Sequence, residues 1–187
     1  VQHRRIPILD DYLNYQLILL WPKFQKLIDD NCTSMKKAAS SSLTIKTISK
    51  NVMVPLSLTQ NFGMIITNLI RLSSNLMFEI ETWEPLTNSV IRLIDQFESC
   101  MKIMAGTLKD SKKHKAFLYN NFYLIYTMIS NELEEEEQAE ASQKEIKSST
   151  LEAENRGVTE ELEGKKTLAE TEKDRFKRLV DKNSQEE

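Results

Sequence analysis

The sequence predicts an all-α protein: an antiparallel helical bundle with a charged tail or insertion. Three observations carry this. Glycine and proline number four each in 187 residues, far below their roughly 12 % share of average chains, and sheets joined by tight turns depend on both. Apolar residues recur every three or four positions over long stretches, the period of a helix that buries one face. Of 7 Phe, 2 Trp and 5 Tyr, only Phe176 lies beyond residue 131, so most of the core is expected before that point.

The first helix is written by Ile6, Leu9, Leu13, Leu17, Leu20, Phe24 and Leu27, with Met35 closing the stripe. Pro22 falls inside it, and loss of its N–H together with ring crowding predicts a kink or short break. Ala39-Ser40-Ser41-Ser42 reads as a linker. A second helix is predicted to start near Pro55, a residue suited to a first helical turn, with the stripe Leu58, Phe62, Ile65, Leu69, Leu72 and Leu76. Glu81 to Pro85 reads as a connection, and Pro85 opens a third helix carrying Leu86, Val90, Leu93, Phe97, Met101, Met104 and Leu108. Asp110 or Ser111 is the predicted cap of a fourth, with Leu118, Phe122, Ile125, Ile129 and Leu133 on one face. Connections this short favour antiparallel neighbours.

Charge divides the chain. Residues 1–131 carry a balance of +5 and residues 132–187 a balance of −8, within a total of −3. Glu fills six of the nine positions from Glu132 to Glu140, a run that reads as a solvated helix extension or disorder. Three segments are therefore expected: a bundle over 1–133, an acidic insertion over 134–172, and the start of a further helix over 173–187 with Phe176, Leu179 and Val180 on one face. Leu151, Val158, Leu162 and Ala169 hint at heptads, but Asn155, Lys165 and Glu172 at seam positions argue against a sustained coiled coil.

The residues carry little chemistry. His3 and His114 have no Cys or carboxylate at metal-ligand spacing, and Cys32 and Cys100 fall in helical stretches as small packed side chains. The four glycines build no phosphate-cradling loop. No enzyme activity, cofactor or metal site is predicted. Lys109, Lys112, Lys113 and Lys115 form a short basic patch; nucleic-acid binding calls for a denser basic stripe with interleaved aromatics and is not predicted. The longest apolar run, Leu17 to Trp21, is far short of a membrane span. With no initiator Met or signal peptide, the chain reads as a piece of a larger cytosolic protein.

Three motifs, in order, resemble a known family: Leu20-Trp21-Pro22-Lys23-Phe24; Pro55-Leu56-Ser57-Leu58-Thr59-Gln60-Asn61-Phe62; and Phe117-Leu118-Tyr119-Asn120-Asn121-Phe122. Their spacing is similar to the C-terminal half of the Sac-two/Vps-fifty-two subunit of the Golgi-associated retrograde protein (GARP) complex, and Lys173 to Val180 looks like the helix that follows the third motif. Where that family has a His and paired Arg, this chain has Leu56, Gln60 and Asn61, so contacts made by those charges do not carry over. The resemblance implies a helical-rod subunit of a vesicle tether acting in endosome-to-trans-Golgi retrograde transport. It also implies as partners the other tether subunits, a Rab-six-class GTPase in its GTP form, and SNAREs. The location implied is the cytoplasmic face of the trans-Golgi network and endosomes, with peripheral membrane association through partners.

Candidate interaction or motif positions are therefore Trp21, Pro22, Phe24, Pro55, Thr59, Phe62, Trp83, Phe117, Asn120 and Asn121. Trp83 falls in a predicted loop and is read as an interface residue, the commoner alternative for such a side chain being to tuck over the end of the bundle. Of the adjacent amides, Asn121 shares a face with Phe117, Leu118 and Ile125 and is read as the structural one. The alternative functions are a membrane-surface domain using Lys109 to Lys115, and a coiled-coil scaffold built on the tail.

Overall fold

The structure, a computed structural model, describes residues 7–77, 84–148 and 167–184. These form helices α1 (Pro7–Ser40), α2 (Ser42–Lys50), α3 (Ser57–Met77), α4 (Glu84–Gly106), α5 (Ser111–Ser148) and α6 (Leu168–Ser184), with no strand among the described residues. The fold is an all-α bundle.

Pairings fix the directions. Phe62 stacks on Phe97 with ring centroids 4.0 Å apart and Thr59 meets Met101, so α3 and α4 run antiparallel. Thr59 also meets Asn121, and Arg71 lies 3.6 Å from Glu132, so α5 returns parallel to α3. On the other side of α4, Gln25 donates to Ser89 Oγ at 2.8 Å and Arg92 donates to Asp29 at 2.7 Å. The numbers rise together, so α1 lies parallel to α4. A phenylalanine ladder crosses the core. Phe62 stacks on Phe97, Phe97 meets Phe122 edge-on at 6.4 Å, and Phe122 meets Phe176 at 6.2 Å. One ring comes from each of α3, α4, α5 and α6, and each such contact adds about 0.5–1.5 kcal/mol beyond its buried area.

Several elements differ from the sequence-based expectation. Helix α1 continues through Pro22 without a break; the acceptor that Pro22 leaves idle is the Ile18 carbonyl, in a stretch open to water, where solvation offsets the lost bond. Residues Ser42–Lys50 form a helix where none is predicted. Thr44, Ile45, Thr47 and Ile48 give this segment poor helix propensity, but Ile48 is fully buried, so packing holds it. Only Ser41 of the expected linker leaves the helical path.

Helix α3 starts at Ser57, so Pro55 precedes it rather than opening it. It is also turned from its predicted stripe: Thr59, Phe62, Ile66 and Ile70 are buried while Ile65 and Leu72 are exposed. The run Met64-Ile65-Ile66 is apolar on more than one face, so periodicity alone leaves the buried face open. Gly63 decides it: a Cβ there would run into Met128 Sδ of α5 and stand 3.2 Å from Ile125 Cδ1, so α3 presses this face onto α5.

Helix α5 runs past the expected boundary at 134 to Ser148, and α6 begins at Leu168, five residues ahead of the expected 173. Asp110 caps α5, its Oδ1 accepting from the Lys112 N–H at 3.0 Å. Thr167 and Glu170 form a capping box at α6: the Thr167 N–H donates to Glu170 Oε2 at 2.8 Å, and the Glu170 N–H to Thr167 Oγ1 at 3.2 Å. Ala169, Phe176 and Val180 then bury against the bundle. The tail aromatic is thus a core residue.

Candidate interaction site

Two of the sequence motifs meet at one place, and amide chemistry joins them. Helix α5 sets Asn120 and Asn121 about 100° apart around its axis. Asn121 is fully buried. Its Oδ1 accepts from the Leu56 N–H at 3.0 Å and from Thr59 Oγ1 at 2.5 Å, while its Nδ2 donates to the Phe117 carbonyl at 2.8 Å. Asn120, half-buried, donates from Nδ2 to the Met53 carbonyl at 3.1 Å. The pair therefore clamps the segment 51–56 and the first turn of α3. An aspartate at 121 would lack the donor for Phe117; a leucine would leave two donors without acceptors.

Burial sorts the remaining positions. Thr59, Phe62 and Phe117 are buried with Asn121, so the bundle itself uses them and they offer no surface to a partner. Pro55 is half-buried in the clamped segment. Trp21 and Phe24 pack ring against ring at 5.3 Å, both half-buried, and Pro22 is exposed. Trp83 lies outside the described residues.

Among the described residues, exposed large apolar side chains concentrate in the first half of α1. Leu9, Leu13, Leu17 and Leu20, expected in the core, are 43–57 % exposed, as are Tyr12, Tyr15 and Leu19 at 45–58 %, and Ile18 reaches 69 %. The reason is register: with Gln25 opposite Ser89 and α1 parallel to α4, residue 20 falls opposite Glu84, where α4 begins. Residues 7–20 extend past that end by about 21 Å at the helical rise. Only further along does α1 bury a face, through Ile28, Met35 and Ala39, with Phe24 and Cys32 half-buried beside them. Burial pushes the Cys32 thiol above its ordinary range, so it is a poor nucleophile. A helix apolar on all sides is covered when it functions. The sequence held this signal: Leu17-Ile18-Leu19-Leu20-Trp21 is an unbroken apolar run that spans more than one turn and so cannot be a single face.

A second polar cluster seats α6. Arg175 reaches Asp95 at 2.6 Å and Glu98 at 2.7 Å on α4, and lies 3.7 Å from Glu172. Glu98 also bonds Lys102 at 2.5 Å. Burial pushes the Glu98 carboxyl up, but the bonds from Lys102 and Arg175 outweigh it and hold it below the ordinary value. Glu172 is 4 % exposed and its Oε2 has no hydrogen-bond partner. Burial therefore pushes its carboxyl above the ordinary value, and Asp95 and Glu98 add to this against the pull of Arg175.

Among the described residues, no group of three or more His, Cys, Asp and Glu is placed to hold a metal, and no helix is long and apolar enough to cross a membrane. These features define an all-α bundle locked internally by amides and rings, with an apolar helix end exposed. Comparison with known proteins agrees with the motifs. A family model described as Vps52, C-terminal, matches residues 1–154, and the chain belongs to that family. Vacuolar protein sorting-associated protein 52 of Saccharomyces cerevisiae is 36 % identical over 137 residues, which cover 68 % of this chain and 21 % of the yeast protein. The Schizosaccharomyces pombe protein of the same name is 30 % identical over 125 residues, 67 % of this chain and 23 % of that protein. The chain thus spans between a fifth and a quarter of the length of these relatives. No solved structure gives a significant match.

Proposed function

We propose that this chain is the C-terminal bundle of a vesicle-tether subunit in vacuolar protein sorting, and that it acts by binding and positioning rather than by chemistry. Membership of the Vps52 C-terminal family supports the assignment. The observation that carries the mechanism is the uncovered apolar half of α1. Eight large apolar side chains between Leu9 and Leu20 stand in water, a patch of the kind that marks a protein interface. Its occupant in this reading is a helix of a neighbouring tether subunit. Spacings of four, three, four and three from Leu13 through Leu17, Leu20, Phe24 and Leu27 give the 3.5-residue average that a helix–helix seam uses.

The finer reading is a subunit of the Golgi-associated retrograde protein complex, working between endosomes and the trans-Golgi network on the cytoplasmic face. It binds a Rab-six-class GTPase in its GTP form, and the assembled complex engages SNAREs. The segments proposed for these tasks are the bundle over 1–133 and the helix around 173–187, with 134–172 as the acidic insertion between them. Trp83 and Trp21 are its proposed aromatic anchors, since Trp is enriched at interface hot spots.

Two measurements test this. Leu13→Glu with Ile18→Glu is expected to abolish co-purification with the other tether subunits while leaving the melting temperature of the isolated chain unchanged, because both side chains are exposed. Retained co-purification sinks the α1 interface. A pull-down with the Golgi Rab loaded with GTP analogue or GDP is expected to give GTP-selective retention; equal or absent retention removes the Rab site from this chain.

A further inference from the structure

A basic cleft of about 360 Å³ lies between the end of α2 and the first turn of α5, lined by Lys50, Lys112 and Lys113 over a floor that includes Val52 and Ala116. No carboxylate lines it. Asp110, just ahead of these lysines, is turned to the backbone N–H of Lys112. The three ammonium groups make no ion pair among the described residues.

Beside the cleft the chain exposes apolar side chains that core packing does not explain. Met53, which also lines the cleft, is 71 % exposed, and Val54 is 53 % exposed. They do not hang on a loose loop. Val52 is buried beneath them, Asn120 holds the Met53 carbonyl, and Asn121 holds the Leu56 N–H. The amide clamp thus presents Met53 and Val54 outward on a fixed backbone. Along α2, Leu43, Lys46 and Lys50 follow one another on one face, and Leu43 is 74 % exposed. Cationic and apolar groups share this end of the bundle.

From this juxtaposition we propose that the α2–α5 end docks on an anionic lipid bilayer: a phosphate-bearing headgroup sits in the Lys50–Lys112–Lys113 cleft, and Met53, Val54 and Leu43 enter the headgroup–acyl boundary. The charge matches such a surface, since the cleft is cationic and bears no acid. The apolar tip is what separates a bilayer from a free phosphate, which would use the lysines alone. This site is separate from the α1 interface and gives the chain membrane contact of its own.

The test is flotation of the 187-residue chain with phosphatidylcholine vesicles, with and without phosphatidylserine or a phosphoinositide, at rising salt. Binding is expected only to the anionic vesicles and to fall as salt screens the lysines. At about fivefold per basic residue near the surface, Lys112→Gln with Lys113→Gln is expected to weaken binding about 25-fold, and the Lys→Arg pair to retain it. Met53→Ser with Val54→Ser is expected to weaken flotation about tenfold. All four side chains are exposed, so each variant is expected to keep the wild-type circular dichroism spectrum. The proposal is overturned by equal binding to uncharged vesicles, by flotation indifferent to the lysines, or by absent flotation. Stabilisation by inorganic phosphate without flotation would likewise exclude the bilayer, leaving a soluble anion as the ligand.

Discussion

Replacing Asn121 with alanine removes the acceptor that joins α5 to the start of α3. Two donors lose this acceptor: the half-buried Leu56 N–H and the fully buried Thr59 hydroxyl, whose remaining neighbour is the weak acceptor Met101 Sδ at 4.0 Å. The Phe117 carbonyl keeps its helical bond and is not orphaned. An unsatisfied buried donor costs about 1–3 kcal/mol, so the two together predict a loss of about 2–6 kcal/mol. For a chain of this length, 1 kcal/mol moves the melting temperature by about 2–4 °C, which gives a fall of about 10 °C. Circular dichroism melting at 222 nm reads this directly, and amide exchange at Leu56 reports whether the loop has come loose. The control is Asn120→Ala, which removes a single bond to the Met53 carbonyl on a half-exposed surface and is expected to cost about 1 kcal/mol. A melting temperature for Asn121→Ala within about 2 °C of wild type, or unchanged exchange at Leu56, would refute the clamp.

Arg175→Met leaves Asp95, Glu98 and Glu172 facing one another without their shared cation. Because Arg175 is a quarter exposed, the cost is expected between that of surface and buried pairs, about 2–3 kcal/mol, with α6 becoming the first segment cut in limited proteolysis. Stability is also expected to vary with pH in two senses. Glu172 binds its proton more readily folded than unfolded, so stability rises as pH falls from neutral through its raised pKa towards the ordinary carboxylate value of 4.5. Glu98 does the opposite: its contribution is present above 4.5 and is lost as pH falls through its lowered pKa. A melting series is expected to peak in the mildly acidic range, and Glu172→Gln to flatten the neutral side of the peak; a wild-type melting temperature that only falls from neutral pH downward contradicts this.

Much of the fold is legible in the sequence wherever one face alone is apolar. Helix α4 buries the stripe its spacing predicts, from Leu86 to Met104, and α5 buries Leu118, Phe122, Ile125 and Ile129 as written. Asp110, the cap expected from the sequence, is satisfied within a few residues of chain; Thr167-x-x-Glu170 is a signal of the same kind that apolar spacing alone does not show, and it starts α6 ahead of the expected 173. Ambiguity begins where a segment is apolar on several faces. In α3 the run Met64-Ile65-Ile66 offers two stripes, and Gly63 against Met128 selects one. In α1 the spacing of Leu9, Leu13, Leu17 and Leu20 looks like a core stripe, yet these side chains lie in water. Periodicity records that a face is apolar and not what covers it.

By itself, then, the sequence determined that the chain is helical, where α4 and α5 start, and which family motifs it bears, because propensity, capping and spacing act over a few residues. Tertiary structure alone decided that Asn120 and Asn121 clamp a segment more than 60 positions away. It decided that Phe176 completes a ring ladder begun at Phe62, and that Lys50 joins Lys112 and Lys113 around one cleft. Each of these depends on which helix lies beside which and at what register. That choice is made by burial summed over the whole bundle, which no local pattern encodes.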